Sequence, residues 1–335
     1  MKFRRLGNTD LTVSEVGFGV WSVSTGWWGP VGLDEGTTLL QRALDTGINF
    51  FDTADTYGDG LGEEMVGQAL SAHRHEIVLA TKVGYDFYAY QVRQGHRERP
   101  QNFSPEYIRS ACEKSLRRLR TDYVDLYQLH NPRLEVIRQD EVIGTLSQLI
   151  EEGKIRHAGV ALGPDIGWFE EGEASMRDRK VPSLQIIYSI LEQQPARRFF
   201  PLAREHGTGL LARVPHASEV LTERFRKTPP VFQQGDHRSH RRKEWLEEAV
   251  RKVDALDFLL SHHEMTLDQM AIKFCLTETT IASVLPNITN LEELSLYSSA
   301  PDMEDVCQEC IARLFQLYDR GFRTEDTAPE AAPSS

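Results

Sequence analysis

The chain has 335 residues, of which 40% are hydrophobic, so it can form one large domain or two ordinary ones around a sizeable core. Its formal net charge of −12 disfavours broad contact with the phosphates of nucleic acid or with an anionic membrane surface. No secretory leader follows Met1, and no stretch reaches the ~18 apolar residues of a membrane span, so we expect a cytoplasmic protein.

The first predicted element is a β-hairpin. Residues 3–13 contain two short runs around the turn sequence Gly7-Asn8-Thr9-Asp10, which is typical of a hairpin connection. This hairpin could plug the N-terminal end of the fold that follows.

Eight buried strands are predicted next, each four to six residues long and rich in β-branched, aromatic or leucine residues. They lie at residues 15–19, 48–52, 77–82, 123–128, 155–160, 184–188, 209–213 and 281–285. Helical spacing of apolar residues appears between them, for example at 37–46, 104–119 and 141–152. This strand–helix alternation predicts a single (β/α)8 TIM barrel over residues 1–326, followed by a disordered tail at 327–335.

A doubly wound sheet is the alternative fold. It would normally carry a glycine-rich phosphate loop, GxGxxG, between its first strand and the next helix. The first strand here ends in Gly17-Phe18-Gly19-Val20-Trp21, which does not have that spacing. The barrel is therefore the preferred prediction.

Two further helical segments, 241–262 and 302–320, fall outside the strand–helix alternation. Cys307 and Cys310 lie inside the second, where we interpret them as neighbours on one helix face. Four cysteines in all are too few and too unevenly spaced for a disulfide framework, and no second Cys or His pair accompanies this one. We therefore predict no metal site.

Four ionisable residues occur at or just beyond the ends of consecutive predicted strands. Asp52 ends the second strand and Tyr57 follows it, Lys82 ends the third strand, and His130 follows the fourth. In a barrel these strand ends meet at one rim, where the active site lies. Each residue alone is more often structural, but together they fit proton transfer to a carbonyl oxygen.

The proposed chemistry assigns a different role to each side chain. A tyrosine is a weak acid at neutral pH because its pKa is about 10, and a nearby ammonium lowers that pKa. Lys82 would supply the ammonium, and Asp52 would be the counter-ion that keeps the buried lysine charged. His130 would donate a hydrogen bond that orients the substrate oxygen.

These motifs resemble the aldo-keto reductase family. The likeness includes RRLGNTDLTVSEVGFGVW, GINFFDTADTYG, VLATKVG, LRTDYVDLYQLHNP, EEGKIRHAGV and GLLARVPHA, and covers roughly the first 220 residues. The resemblance implies a nicotinamide-dependent carbonyl reductase in which hydride passes to the carbonyl carbon and Tyr57 protonates the oxygen. It maps the catalytic tetrad to Asp52, Tyr57, Lys82 and His130, whereas Asp55 and Thr56 would shape the turn.

The resemblance also implies a set of cofactor-binding positions. Gln185 matches a ligand of the nicotinamide carboxamide, but Ala161-Leu162 stands where many members have a polar pair such as Ser-Asn. Arg213 replaces an aromatic residue that stacks on the nicotinamide ring, and its flat guanidinium can also stack. Its charge would disfavour the oxidised, cationic ring and so favour reduction. The complete set is Val20, Trp21, Asp52, Gln185, Arg213, Val214, Pro215, Pro286, Asn287, Thr289 and Glu293.

The choice between NADP(H) and NAD(H) depends on the segment after the eighth strand. The family grips the adenosine 2′-phosphate there with a basic or hydroxyl residue and a glutamine, but this chain has Thr289 and Glu293. A carboxylate about 4 Å from a phosphate charge costs on the order of 4 kcal/mol at an effective dielectric of about 20, which favours NAD(H). Against this stands a basic cluster that could bind the pyrophosphate or simply be solvated: Arg224, Arg226, Lys227, Arg238, Arg241, Arg242 and Lys243.

The predicted substrate pocket is aromatic. It comprises Trp21, Trp27, Trp28, Tyr57, Tyr85 and His130. Residues 90–102, which carry several positive charges, could form a lid over it. Such a wall suits an apolar carbonyl compound or the face of a sugar. We expect a small aldehyde, ketone or sugar-like substrate, with no nucleic-acid or membrane partner, and the oligomeric state cannot be inferred from the sequence.

Two functions from different classes follow. The first is an NAD(P)H-dependent carbonyl reductase or alcohol dehydrogenase, which the complete tetrad favours. The second is a reductase-like subunit or sensor that binds the cofactor with little or no turnover, which the altered cofactor positions keep open.

Overall fold

Ten β-strands form two sheets in the computed structural model of the protein, which describes residues 1–26, 31–90, 98–163, 168–227 and 243–323. The strands are β1 (Phe3–Arg5), β2 (Thr12–Ser14), β3 (Phe18–Gly19), β4 (Phe50–Asp52), β5 (Val78–Val83), β6 (Val124–His130), β7 (Ile155–Ala161), β8 (Ser183–Ile187), β9 (Gly209–Arg213) and β10 (Ile281–Leu285). β1 and β2 pair antiparallel, which confirms the predicted hairpin. β3 to β10 pair parallel in strict chain order.

The eight parallel strands close into a barrel, which confirms the predicted (β/α)8 fold. Closure occurs just before β3, where Val16 forms a parallel bridge with Val284 of β10. The Gly17 N–H donates to the Val284 carbonyl, and the Val284 N–H donates to the Glu15 carbonyl. The predicted strand from residue 15 is therefore present, but only its last two residues pair regularly with β4.

Helices connect the strands on the outside. They are α1 (Trp21–Ser24), α2 (Leu33–Asp45), α3 (Leu61–Leu70), α4 (Pro105–Leu119), α5 (Leu134–Ile137), α6 (Asp140–Glu151), α7 (Phe169–Arg177), α8 (Ala196–His206), α9 (Glu223–Lys227), α10 (Lys243–Asp254), α11 (Asp257–His262), α12 (Leu267–Leu276), α13 (Leu291–Ser299) and α14 (Gln308–Asp319).

Local sequence explains where several helices begin. The Ser104 side chain accepts a hydrogen bond from the Tyr107 N–H at the start of α4, and Pro105 occupies the first helical position, where its missing N–H costs nothing. At α12, Thr266 and Gln269 form a reciprocal capping box. Such caps satisfy backbone donors that have no partner within the helix.

The hairpin closes the N-terminal end of the barrel, as predicted. Leu6, Leu11 and Val13 are buried and pack with barrel-interior residues that include Phe50 and Leu126. Gly7 makes this close approach possible, because a Cβ there would lie 2.3 Å from the Gly209 nitrogen and the backbone has a φ of +52°.

Two helix predictions need correction. The segment predicted as one helix over 241–262 contains two helices, α10 and α11, separated at Ala255 and Leu256. The segment predicted over 302–320 begins its α-helix only at Gln308, and Cys307 precedes the helix as its N-cap. Cys307 and Cys310 are joined by a disulfide, so their interpretation as mere helix neighbours was wrong.

Among the residues that the structure describes, no helix has the length and apolar character needed to traverse a lipid bilayer. The predicted tail at 327–335 lies outside the described residues, as do positions 91–97 of the predicted lid.

Candidate active site

The four predicted catalytic residues lie at the C-terminal end of the barrel. Asp52 is the last residue of β4, His130 is the last residue of β6, and Lys82 is the penultimate residue of β5. Tyr57 opens a short 3-10 turn that follows β4, and its N–H donates to the Ala54 carbonyl. Parallel pairing of β4, β5 and β6 therefore brings residues far apart in sequence to one rim.

Lys82 connects the Asp52 carboxylate with the Tyr57 phenol. Its side chain is fully buried, and its Nζ donates to Asp52 Oδ1 at 2.5 Å, to the Thr53 carbonyl at 2.7 Å and to the Tyr57 hydroxyl at 3.4 Å. Three partners use all three donors of an ammonium group. The lysine is thus held as a cation beside the phenol oxygen.

The other oxygen of Asp52 is fixed by two glutamines. Oδ2 accepts from Gln128 Nε2 at 2.9 Å and from Gln185 Nε2 at 3.1 Å. The three residues come from β4, β6 and β8, which are alternate strands of the barrel and therefore contribute to one interior layer. This layer orients the carboxylate toward Lys82.

Burial and neighbouring charges set the protonation of this cluster. Burial acts to lower the pKa of Lys82, but the adjacent Asp52 carboxylate and Tyr57 outweigh it, so that the pKa is raised. The pKa of His130 is well below its usual range, first because the ring is buried and then because the cations Lys82 and Arg213 lie near it. At neutral pH the site therefore contains a charged lysine and a neutral imidazole.

Aromatic rings position His130. Its ring meets Tyr57 edge to face at a centroid distance of 5.7 Å, and it meets Tyr85 in the same way at 5.0 Å. Tyr85 is itself held by Asn131, which donates to its hydroxyl at 2.6 Å. His130 Nδ1 is buried and has no hydrogen-bond partner within the described part of the chain.

Arg213, the last residue of β9, extends this cluster. Its Nη2 donates to the Leu162 carbonyl at 2.7 Å, directly after β7. Burial lowers the pKa of Arg213, while Tyr57, Asp52 and Tyr85 act in the opposite direction. Leu162 therefore contributes a backbone carbonyl to the site although its side chain cannot hydrogen-bond.

The segment after β9 adopts an unusual backbone. Val214 has a φ of +60°, and the three residues 217–219 also have positive φ values. Between them lie Pro215 and His216, both buried. The ring of His216 packs against Tyr297 at 4.6 Å, and its Nε2–H donates to the Asp268 carbonyl at 3.1 Å. Val214 and Pro215 thus occupy the turn that leaves the barrel beside Arg213.

The segment after β10 forms a polar cluster at the start of α13. Pro286 is buried, and Asn287 Nδ2 donates to Glu219 at 3.1 Å. Glu293 Oε2 accepts both the N–H and the hydroxyl of Thr289, each at 2.8 Å. The glutamate thereby occupies two hydrogen-bond donors at a helix N-terminus, a position that otherwise favours a phosphate.

The remaining predicted site residues are partly described. Val20 lies directly after β3, where its N–H donates to the Asp52 carbonyl, and Trp21 begins α1. Trp27 and Trp28 lie outside the described residues, as do Arg238, Arg241 and Arg242 of the basic cluster. A further member of that cluster, Arg226, pairs with Asp257 at 2.8 Å.

Asp55, which we expected only to shape the turn, is a buried acidic group. Asp55 is fully buried, neither of its carboxylate oxygens has a partner among the described residues, and burial followed by the nearby Glu63 raises its pKa well above the usual range. Glu63 pairs with Arg118 at 2.6 Å. The repeated Asp-Thr pairs in this turn were a signal, but turn chemistry explained them equally well.

Comparison with known proteins identifies the family of this chain. A sequence model of the aldo/keto reductase family matches residues 15–305. The chain belongs to the aldo/keto reductase family. Its members are oxidoreductases that use nicotinamide cofactors.

Individual relatives agree with this assignment to the aldo/keto reductases. The chain is 31% identical over 316 residues to the uncharacterized oxidoreductase YqkF of Bacillus subtilis (strain 168), covering 94% of this chain and 95% of that protein. It is 30% identical to the NADH-specific methylglyoxal reductase of Escherichia coli (strain K12), covering 88% and 91% of the two chains. The holo form of the aldo-keto reductase AKR11C1 from Bacillus halodurans superposes with a TM-score of 0.76 at 30% identity, covering 96% of this chain and 100% of that one.

Proposed function

We propose that the protein is a nicotinamide-dependent carbonyl reductase in which Tyr57 is the general acid. The observation that carries this proposal is the contact of Lys82 Nζ with both Asp52 and the Tyr57 hydroxyl at the barrel rim. A proton that leaves the phenol leaves a phenolate 3.4 Å from a buried ammonium. That charge pair stabilises the phenolate more strongly than bulk water would.

Each residue of the tetrad has one task in this reaction. Tyr57 gives its proton to the carbonyl oxygen of the substrate and recovers it after the product leaves. Lys82 holds the phenol oxygen and stabilises its negative charge, while Asp52 keeps the lysine charged and in place. His130, which is neutral, donates a hydrogen bond to the same substrate oxygen and so directs it toward Tyr57.

Some of the polar groups at the rim are suited to hydrogen-bond with a nicotinamide cofactor. A bound nicotinamide supplies the hydride. Buried atoms without a partner in the described part of the chain include Arg213 Nε, Gln128 Oε1 and His130 Nδ1, so the rim holds donors and acceptors that a ligand can satisfy. Gln185 is held by Asp52 through its amide nitrogen, which leaves its amide oxygen as the group able to accept from a carboxamide.

Three segments would hold the rest of the cofactor. Val20 and Trp21 lie at the start of α1, next to Asp52. Arg213, Val214 and Pro215 form the turn after β9, where the guanidinium offers a flat face. The segment after β10, which contains Pro286, Asn287, Thr289 and Glu293, would contact the adenosine half of the cofactor.

We infer that NADH is the preferred reduced cofactor. Glu293 already accepts the two donors of Thr289 that a 2′-phosphate would need, and its own charge repels a phosphate. A carboxylate can instead accept hydrogen bonds from a ribose diol. The similarity to an NADH-specific reductase of Escherichia coli supports the same choice.

The substrate is proposed to be a small aldehyde, ketone or sugar-like carbonyl compound. The proposed pocket beside Tyr57 is aromatic, because the rings of Tyr57 and Tyr85 each meet the His130 ring edge to face, and the Arg213 cation lies near His130. Such a pocket accepts a short substrate with one reactive carbonyl group and polar groups beside it. One relative reduces methylglyoxal according to its name, which is a compound of this size.

The proposal is tested by assaying a panel of aldehydes, ketones and sugars with NADH and NADPH, using wild type and Tyr57→Phe. We expect turnover by wild type and a loss of about 10²-fold or more in the variant, which keeps its affinity for NADH. The Tyr85→Phe variant is the matched control, because it also loses one phenol oxygen at the rim. Cofactor binding without turnover on any compound would instead favour a non-catalytic, cofactor-binding subunit.

A further inference from the structure

A second cluster of reactive side chains lies at the start of α14, among residues that the proposed reaction does not use. Cys307 and Cys310 form a disulfide there, and His263, from the turn between α11 and α12, lies against it. The sulfur and ring-nitrogen atoms of the three residues lie within 4.8 Å of one another. Two sulfur atoms and a ring nitrogen from two separate segments are therefore close enough to react together.

The histidine is oriented toward the sulfurs by two hydrogen bonds. The Cys307 N–H donates to His263 Nε2 at 3.4 Å, and Nδ1 lies 2.8 Å from Glu304 Oε1. A ring that accepts at Nε2 carries its proton on Nδ1, where Glu304 accepts it. The Nε2 atom is 3.7 Å from Cys310 Sγ, so its lone pair can receive the proton of that thiol.

The helix favours the thiolate form of Cys307. Cys307 is the N-cap of α14, a helix of 12 residues, and its Sγ accepts from the Cys310 N–H at 3.1 Å. A negative charge at this position is stabilised by the free backbone N–H groups and by the helix dipole. Cys307 is half-buried and Cys310 is only 4% exposed, so an external reagent reaches Cys307 first.

The bond contributes little to the stability of the fold. It joins residues three apart in sequence, and a disulfide restricts the unfolded chain least when the loop it closes is shortest. A pair placed for stability would be expected to join distant segments. This pair instead combines an accessible sulfur, a helix N-terminus and a general base.

We propose that Cys307 and Cys310 form a reversible dithiol–disulfide site that exchanges with a small or protein-borne dithiol. A thiolate of the external dithiol attacks Cys307 Sγ, the Cys307–Cys310 bond breaks, and Cys310 Sγ leaves as a thiolate. The second external thiol then attacks its own partner sulfur and releases Cys307. The external dithiol becomes a disulfide, and two electrons and two protons pass to the protein. In the reverse direction His263 accepts the Cys310 proton.

The test is a redox titration of the full folded chain in mixtures of reduced and oxidised dithiothreitol, followed by acid quenching and thiol labelling in denaturant. Cys112 and Cys275 are free and buried, so we expect two labels on the oxidised protein and four on the reduced protein, with one two-electron transition between them. The variants Cys307→Ser and Cys310→Ser should each carry three labels in every dithiothreitol mixture and should not show the two-electron transition.

A second measurement tests the histidine. The His263→Gln variant should reoxidise several-fold more slowly than wild type at pH 7, with the same end point. His157→Gln, which removes a ring that hydrogen-bonds to Asp10 in another part of the structure, is the control. An equal rate in the His263 variant would remove the histidine from the proposal.

Three outcomes would overturn the whole proposal. They are a bond that is reduced only after the chain unfolds, a pair that stays reduced in oxidising mixtures, and a stoichiometric zinc ion that binds the reduced pair and prevents oxidation. The last would make the cluster a metal site with His263 as its nitrogen ligand. All three readouts are independent of reductase turnover.

Discussion

Replacing Glu293 with glutamine should change the choice of cofactor. Glu293 is the third residue of α13, and its carboxylate accepts the N–H and hydroxyl of Thr289 at 2.8 Å. A 2′-phosphate bound at the same helix N-terminus would compete for these donors and lie about 4 Å from the carboxylate charge. Glutamine keeps an acceptor oxygen for Thr289 but removes the charge.

The size of the effect follows from the electrostatics of this position. Two unit charges about 4 Å apart interact by about 4 kcal/mol at an effective dielectric of about 20. Glu293 is only half-buried, so solvent and salt reduce this value, and we expect about 1.4 to 2 kcal/mol to remain. The affinity for NADPH should therefore rise ten- to thirty-fold in Glu293→Gln, while the affinity for NADH changes less than about two-fold.

The assay is a fluorescence titration of each variant with NADH and with NADPH at low and high salt. Glu292→Gln is the matched control, because Glu292 precedes Glu293 in the same helical turn but is exposed. The reasoning is refuted if wild type already prefers NADPH strongly. It is also refuted if both variants change the NADPH affinity equally, because the loss of any one negative charge from this helical turn would then explain the result.

Two further predictions concern stability. Asp52→Asn should lower the free energy of unfolding by about 3 to 5 kcal/mol, because it leaves the buried Lys82 ammonium without its anion. The double variant Asp52→Asn/Lys82→Met should recover part of this loss, as measured by denaturant titration. Burial lowers the pKa of His216 from 6.5 to about 4, so its contribution to stability is complete above pH 6.5 and is lost as the pH falls toward 4. Between pH 7 and pH 5 the free energy of unfolding of wild type should fall by about 2 kcal/mol more than that of His216→Asn. Equal losses in the two proteins would contradict this reasoning.

The barrel and its rim could be predicted from the sequence because they depend on periodic features. Asp52, Lys82 and His130 end runs of buried residues, and parallel strands must bring such ends together. Strand boundaries were less well predicted: β6 extends to His130, two residues beyond the predicted end. Gln128, which lies within both the predicted and the observed strand, contacts Asp52, a partner 76 residues away that no local pattern reveals.

The cysteine pair shows how distant contacts override a local pattern. Helical spacing continues through residues 303–306, which is why one helix was predicted from residue 302. Lys273 of α12, however, donates to the Met303 carbonyl at 3.1 Å and pairs with Asp305 at 2.7 Å. These contacts hold the segment out of the helix, so that Cys307 becomes the N-cap and its sulfur meets Cys310.

Arg213 links the electrostatics of the rim to its proposed chemistry. Lys82 is compensated by Asp52, whereas Arg213 is a second cation in the same interior, and both lower the pKa of His130. A neutral imidazole can donate to the substrate oxygen without competing with Tyr57 as the acid, and a positive surrounding stabilises the negative charge that develops on that oxygen and on the phenol. Under the proposed mechanism Arg213 would therefore support proton transfer by Tyr57, and its charge would oppose the cationic ring of an oxidised nicotinamide. Stabilising the developing negative charge speeds both directions equally, so only the repulsion of the oxidised ring would favour reduction of the carbonyl over oxidation of the alcohol.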